Sequence, residues 1–303
     1  MKTHILPTMN NNYRSFNGLG TALVTPFLSD GSVDYDTVRA LVRYQIDNGT
    51  DFLCILGTTA ETPTLTPEER NRIISIAIEE NAGRVPVMVG CGGNNTAAVI
   101  EAMKQLPSEG IDAVLSVVPF YNKPSQEGVY RHFEAIANAS DKPIILYNVP
   151  GRTGINMTAE TTLRVARNCP IVRGIKEASG KMDQIKEIID GAPAGFQVIS
   201  GDDSLAMDSI KMGASGVISV IANAIPAQYG ELIHATVAGD YAKADALQAQ
   251  FNPVYGLLFK EGNPCGVKAA MAIRGLLQNV CRLPMVPVSD ALMAEIKEGF
   301  ANI

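Results

Sequence analysis

Lys176, in the segment Gly174-Ile175-Lys176-Glu177, is the residue of this sequence best suited to covalent chemistry. It closes a short apolar run, and if that strand alternates with Val172 and Gly174 turned inward, Lys176 also points inward. Burial disfavours the ammonium and leaves the neutral amine that attack on a ketone requires. The ordinary alternative is a lysine whose head reaches solvent or pairs with Glu177. A Schiff base on lysine must dehydrate a carbinolamine and then form and quench an enamine, so hydroxyls that pass protons are its expected companions. Tyr147, Thr58 and Tyr121 bring such hydroxyls to the ends of three other apolar runs. Taken singly they also suit a rim aromatic, a turn residue and loop packing.

Arg152 follows Pro150-Gly151, and its planar fork suits a carboxylate; the alternative is a surface salt bridge. Backbone amides around Thr58 and Thr59 suit the carboxylate of a 2-oxo acid. Gly92-Gly93-Asn94-Asn95-Thr96 lacks the lysine and serine of a phosphate loop and reads as a turn capping the next helix. His4, His132 and His234 show no metal-ligand spacing, and His132 reads as a partly buried helix residue without a catalytic role. The G-x-S-x-G pattern of a serine hydrolase is absent. Neither a metal nor an organic cofactor is expected.

The elements that must hold these residues are short, nearly continuous apolar runs at 20–26, 52–56, 85–90, 113–118, 144–148, 171–176, 196–200 and 216–220. Unbroken apolarity marks strands buried on both faces. Between the runs lie helix signals. Thr66-Pro67-Glu68-Glu69 offers a capping box with proline at the first helical position. Asp34, Thr158 and either Asp202 or Asp203 suit the caps of other helices. Eight such β-α units, with no G-x-G-x-x-G after the first strand, fit an α/β fold closed as a (β/α)₈ barrel rather than an open doubly wound sheet. Catalytic side chains of such barrels sit at the C-terminal strand ends, where Thr58, Tyr121, Tyr147, Arg152, Lys176 and Gly201 all fall. After residue 220 the pattern is helical only, at 241–251, 263–277 and 289–300. The expected division is a barrel over 18–237 and a helical unit over 238–303.

The 303 residues are 46% hydrophobic and 18% charged, enough to bury a large core, and the net charge of −6 argues against general attraction to nucleic acid or an anionic membrane. Five scattered cysteines without a C-x-x-C pair indicate neither a disulfide framework nor a zinc site; they read as buried reduced thiols. The first residues do not resemble a secretory signal, and no apolar run reaches the roughly 18 residues of a membrane span. A soluble, cytoplasmic protein is the expectation.

Three segments carry a family resemblance: Gly57-Thr58-Thr59-Ala60-Glu61, Tyr147-Asn148-Val149-Pro150-Gly151-Arg152-Thr153 and Gly174-Ile175-Lys176-Glu177-Ala178. In this order and spacing the chain resembles the dihydrodipicolinate synthase and N-acetylneuraminate lyase family from about residue 18 onward, and residues 1–17 look like an extension. The resemblance implies a (β/α)₈ barrel with a C-terminal helical domain, usually a homotetramer built as a dimer of dimers. It implies Lys176 as the Schiff-base residue, with a proton relay of Tyr147, Thr58 and a Tyr121 from the neighbouring subunit. Thr59 would bind the pyruvate carboxylate, Gly201 and Ile218 would line the site through their backbone, and Arg152 would receive the second substrate's carboxylate. Arg152 and Tyr121-Asn122-Lys123-Pro124 resemble the synthases of the family, which points to L-aspartate 4-semialdehyde as that substrate. Thr62, Pro63, Pro67, Arg70 and Phe120 stand where lysine-inhibited members carry other residues, although Glu61 and Asn94 are retained, so weak or absent lysine feedback is implied. The rivals are an N-acetylneuraminate or 2-keto-3-deoxy sugar acid lyase on the same scaffold, and a non-catalytic barrel that senses a 2-oxo acid.

Overall fold

The computed structural model describes residues 13–301 and 303. Its first half runs β1 (Gly18–Ala22), α1 (Tyr35–Asp47), β2 (Phe52–Ile55), α2 (Pro67–Asn81), β3 (Val87–Gly90), α3 (Thr96–Lys104), β4 (Ala113–Val117) and α4 (Gln126–Ala139). It continues through β5 (Ile144–Asn148), α5 (Pro150–Thr153), α6 (Ala159–Asn168), β6 (Val172–Glu177), α7 (Met182–Gly191), β7 (Gln197–Ser200), α8 (Ala206–Lys211), β8 (Gly216–Ser219) and α9 (Pro226–Val237). The strands pair in chain order, all parallel, and β1 with β8 closes the barrel. Three helices follow: α10 (Tyr241–Tyr255), α11 (Cys265–Ile273) and α12 (Asp290–Gly299).

The barrel expected from the apolar runs is present, with the first strand displaced from 20–26 to Gly18–Ala22. Past Leu23 the ladder loses its partners, because Asn223 Oδ1 takes the Val24 N–H and Pro26 has none to give. The Thr66 capping box forms in both directions, and Asp34, Asn95 and Thr158 cap α1, α3 and α6. The cap expected at Asp202 or Asp203 does not form. Asp202 accepts from Ser204, and Asp203 Oδ2 accepts from the N–H groups of Val220 and Ile221, leaving Leu205 to begin α8 without a side-chain cap. The helix expected at 263–277 is shorter because Pro264 delays its start and Gly275, at φ 71°, turns the chain after it.

Of the five free cysteines, Cys54, Cys169 and Cys265 are buried, but Cys91 and Cys281 are only half-buried. Among the described residues no helix is long and apolar enough to cross a membrane. His4 and the first twelve residues of the expected extension lie outside the described residues.

Three apolar clusters divide the interior. One joins β1 to β3 and β8 with α1, α2 and α9 to α12; a second joins β4 to β7 with α3, α4, α6 and α7. The third fills the barrel itself, with Ala22, Cys54, Met88, Leu115, Ile145, Ile199 and Ile218 above a floor of Phe16 and Phe52. Their rings meet edge to face at 5.2 Å. Gly20 is obligatory there, since a Cβ would lie 2.0 Å from the Phe52 ring. The Gln197 side chain ties the floor together, accepting from Tyr13 Oη and Phe16 N and donating to Phe16 O. A closed floor leaves the opposite, C-terminal end as the mouth.

Candidate active site

Lys176 does point into the barrel, for a reason that simple alternation misses. Between β5 and β6 the register runs Ile144↔Val172 and then Ile145↔Gly174, so Arg173 is an extra residue in the ladder. Val172 therefore packs in the outer cluster with Ile175, which corrects the expectation that it faces inward. Without the bulge, Lys176 would share the outward face of Val172. With it, Lys176 and Gly174 turn inward, and Tyr147 becomes the cross-strand partner of Lys176.

Lys176 is 6% exposed, and its Nζ lies 4.6 Å from the centre of the Tyr147 ring. Pairing with Glu177 does not occur. The Glu177 carboxylate is buried on the other side of the strand, where it accepts from Asn148 Nδ2 at 3.0 Å, Ser179 N at 2.7 Å and Gln184 Nε2 at 3.1 Å. Burial pushes that carboxyl above its usual range against the pull of those donors. Across the barrel the Cys54 thiol feels the charge of Lys176, but burial dominates and raises it to about 11, so it stays protonated. Gly201, after β7, completes the wall: a Cβ there would lie 3.0 Å from Lys176 Cε and 2.6 Å from Ala178 Cβ. Ile218 on β8 is buried inside the barrel.

The chain after β2 turns through a 3₁₀ segment, Thr58–Ala60, closed by Ala60 N donating to Gly57 O and Glu61 N donating to Thr58 O, both at 3.1 Å. Gly57 stands over Cys54, so this turn starts across the barrel from Lys176. Thr58 is half-buried and Thr59 buried. Glu61 ends the turn at φ 52°, a left-handed conformation a glutamate adopts only when its surroundings hold it. Here they do: buried Lys268 and the Arg282 N–H both donate to its carboxylate, and Lys268 Nζ also donates to Val280 O at 2.9 Å. Asn263 Nδ2 donates to Thr59 Oγ1 at 3.0 Å.

Sequence reasoning missed Asn263 and Lys268 and read Asp203 only as a candidate helix cap. A lysine within the apolar segment Cys265–Ile273 was a usable signal, because such a lysine needs a buried acid. Asn263 gave none. Asp203 fixes the turn after β8 through two backbone N–H groups, and burial raises its carboxyl to about 6.

Two expected residues stand apart from the buried group. Tyr121 is 88% exposed at φ 69°, in a rim loop held by Asn94 Nδ2 donating to Phe120 O and Asn122 Nδ2 donating to Asn94 O. Arg152 is exposed in the single turn of α5 and forms no salt bridge among the described residues. Lys123 reaches the same rim, because a Cβ on Gly154 would lie 3.1 Å from its Cε. His132 is buried in α4 with Nδ1 2.8 Å from Thr96 Oγ1, and burial lowers it to about 4. No group of three or more His, Cys, Asp or Glu side chains among the described residues is placed to hold a metal ion.

The arrangement pairs a buried amine with a neighbouring phenol, across from a hydroxyl-bearing turn and below a cationic rim. Known proteins share the fold. Residues 15–301 match the Dihydrodipicolinate synthetase family. The 4-hydroxy-tetrahydrodipicolinate synthase of Parabacteroides distasonis is 52% identical over 284 residues, covering 94% of this chain and 96% of the relative. That of Phocaeicola vulgatus is 54% identical over 270 residues, covering 89% and 91%. The dihydrodipicolinate synthase structure from Thermotoga maritima superposes with a TM-score of 0.91 at 40% identity, over 94% of this chain and 97% of that one. This chain belongs to the dihydrodipicolinate synthetase family.

Proposed function

We propose that this protein is a class I aldolase-type lyase that condenses pyruvate with L-aspartate 4-semialdehyde, the reaction of a 4-hydroxy-tetrahydrodipicolinate synthase in lysine and diaminopimelate biosynthesis. The observation that carries the reading is Lys176: its amine is buried at the barrel mouth against Tyr147, and the neighbouring acid that would neutralise it is engaged elsewhere. Lys176 Nζ attacks pyruvate C2, and loss of water from the carbinolamine gives an iminium. Removal of a C3 proton gives the enamine, whose C3 attacks the aldehyde carbon of the second substrate. The aldehyde oxygen takes up a proton. Attack by the substrate's own amine on the iminium carbon then closes the ring and releases Lys176.

In this reading Tyr147, Thr58 and Tyr121 relay the protons, Thr59 holds the pyruvate carboxylate, and Gly201 and Ile218 line the pocket through their backbone. Arg152 takes the carboxylate of the aldehyde, for which its exposure and its lack of an ionic partner among the described residues suit it. Tyr121, exposed at the rim, serves a neighbouring copy in a homotetramer built as a dimer of dimers. Pyruvate bound covalently to Lys176 makes an organic cofactor unnecessary. Residues 18–237 form the catalytic barrel, 238–303 the helical domain and 1–17 an extension, and the protein works in the cytoplasm.

Borohydride reduction in the presence of pyruvate tests the chemistry, with the adduct expected on the peptide containing Lys176. Its absence, or its persistence in Lys176→Ala, overturns the reading. Turnover of pyruvate with aspartate semialdehyde, measured against cleavage of N-acetylneuraminate and of 2-keto-3-deoxy sugar acids, tests the substrate; faster cleavage of a sugar acid reassigns it.

A further inference from the structure

Asn263 lies in the connection between α10 and α11, far from Thr59 in sequence, yet its amide is buried against the Thr59 hydroxyl. It is 6% exposed, and the contact to Thr59 Oγ1 at 3.0 Å is the one hydrogen bond of its side chain among the described residues. A threonine hydroxyl has one proton to give and two lone pairs to receive with. When a neighbour donates to the oxygen, one lone pair is used and the proton stays available for another acceptor. When the neighbour accepts instead, the proton is used up and the hydroxyl presents only lone pairs, which repel a carboxylate. The choice between the two states is therefore set by what stands behind Thr59.

We propose that Asn263 is a positioning residue of the 2-oxo acid site: its Nδ2 donates to Thr59 Oγ1 and so directs the Thr59 hydroxyl proton to the substrate carboxylate. The inference rests on the reading that Thr59 binds that carboxylate. The backbone of the Thr59 turn is held as well, in part by the same C-terminal segment. Glu61, two residues on, is clamped by Lys268 of α11 and by the Arg282 N–H, and Thr25 Oγ1 donates to Ala60 O at 2.8 Å. With the turn held by the C-terminal segment together with Thr25 and the hydroxyl oriented by Asn263, the helical domain helps shape the carboxylate site without itself touching substrate.

Asn263→Asp has nearly the same shape but offers only acceptors, so it draws the Thr59 proton away from the substrate. The test is a double-mutant cycle in the full-length protein with T59V, N263D and the pair, reading the pyruvate KM and kcat alongside thermal melting. Loss of a hydrogen bond to a charged group corresponds to a rise in KM of about tenfold or more, expected for T59V and for N263D, with kcat within about threefold. In the T59V background N263D adds only the effect of its charge, and the neutral N263S adds nothing. N263S also carries the test if N263D does not fold, since its shorter side chain withdraws the amide donor from Thr59 without adding charge. A KM within about twofold of wild type for N263D, or effects of T59V and N263S that simply multiply, overturns the role of Asn263. If T59V itself leaves the pyruvate KM unchanged, the reading of Thr59 fails, and this inference fails with it for that separate and visible reason.

Discussion

Replacing Gly201 by alanine inserts one methyl group into the wall that Lys176 leans on. The new Cβ would stand 2.6 Å from Ala178 Cβ, 3.0 Å from Lys176 Cε and 3.2 Å from Lys176 Cγ, whereas carbon atoms rest at about 3.5 to 4.0 Å. Gly201 cannot back away freely, because its N–H donates to Glu177 O at 2.8 Å and keeps the end of β7 on β6. The lysine stem is the softer element, so it moves, and a shift of about half an ångström at Cε becomes roughly an ångström at Nζ. Misplacing a reacting group by that much lowers the rate about a hundredfold, or about 2.7 kcal/mol in the barrier. Steady-state kcat and the rate of borohydride trapping with pyruvate should both fall by this order, while the melting temperature falls by only a few degrees. A kcat within about twofold of wild type in folded G201A would refute the argument that the close approach at Gly201 sets the position of Nζ.

Lys268→Met leaves the Glu61 carboxylate buried with only the Arg282 N–H to satisfy it, and urea titration should show a loss of about 3 to 5 kcal/mol, much of it recovered in K268M/E61Q. A single variant no less stable than the double would contradict this. Asp203 has its carboxyl raised from 3.8 to about 6 in the folded chain, so between these values the folded state holds a proton that the unfolded state has released. Stability contributed by this group is therefore highest below about pH 4 and declines by about 3 kcal/mol as pH rises through 6; D203N should abolish that slope, and parallel pH profiles would count against it. With Thr62, Pro63, Pro67, Arg70 and Phe120 at the positions noted above, activity should persist at millimolar lysine, and strong inhibition at low lysine concentration would overturn the expectation.

The strand plan was legible because a strand covered on both faces needs an unbroken apolar run, and the caps at Asp34, Thr66 and Thr158 were legible because each is a local contract between a side chain and the next turn. The facing of β6 was not. A bulge at Arg173 leaves no compositional mark, so alternation counted from Val172 reached the correct side for Lys176 while placing Val172 on the wrong one. Asp203 shows the same limit. A local reading makes it a cap for the next helix, but its carboxylate instead serves two N–H groups seventeen and eighteen residues away. Asn263 is further still from any sequence rule, with its partner 204 residues distant.

The long-range contacts also explain why one catalytic mouth draws on two different cores. Lys176 and Tyr147 sit on β6 and β5, whose outer faces pack in the cluster of β4 to β7, and the bulge that aims the lysine belongs to that half alone. The Thr58–Ala60 turn follows β2, which belongs to the other cluster, where α10 to α12 share the core with β1 to β3 and β8. The C-terminal helices reach the turn through Asn263, Lys268 and Arg282, and the Phe27 ring carries Lys268 Nζ at 4.2 Å and the Arg282 guanidinium at 4.6 Å from its centre. In the proposed function, damage to the first half moves the Lys176 amine and should lower kcat. In the same reading, damage at Thr59 or Asn263 should disturb the hold on the carboxylate in ground and transition states alike and raise the pyruvate KM, whereas damage that shifts Thr58 should lower kcat as well. The C-terminal segment thus reaches the proposed carboxylate site through Asn263 and, through Lys268 and Arg282, the turn that carries Thr58, and these buried polar contacts, few beside its apolar ones, are the part of it that the proposed reaction can feel.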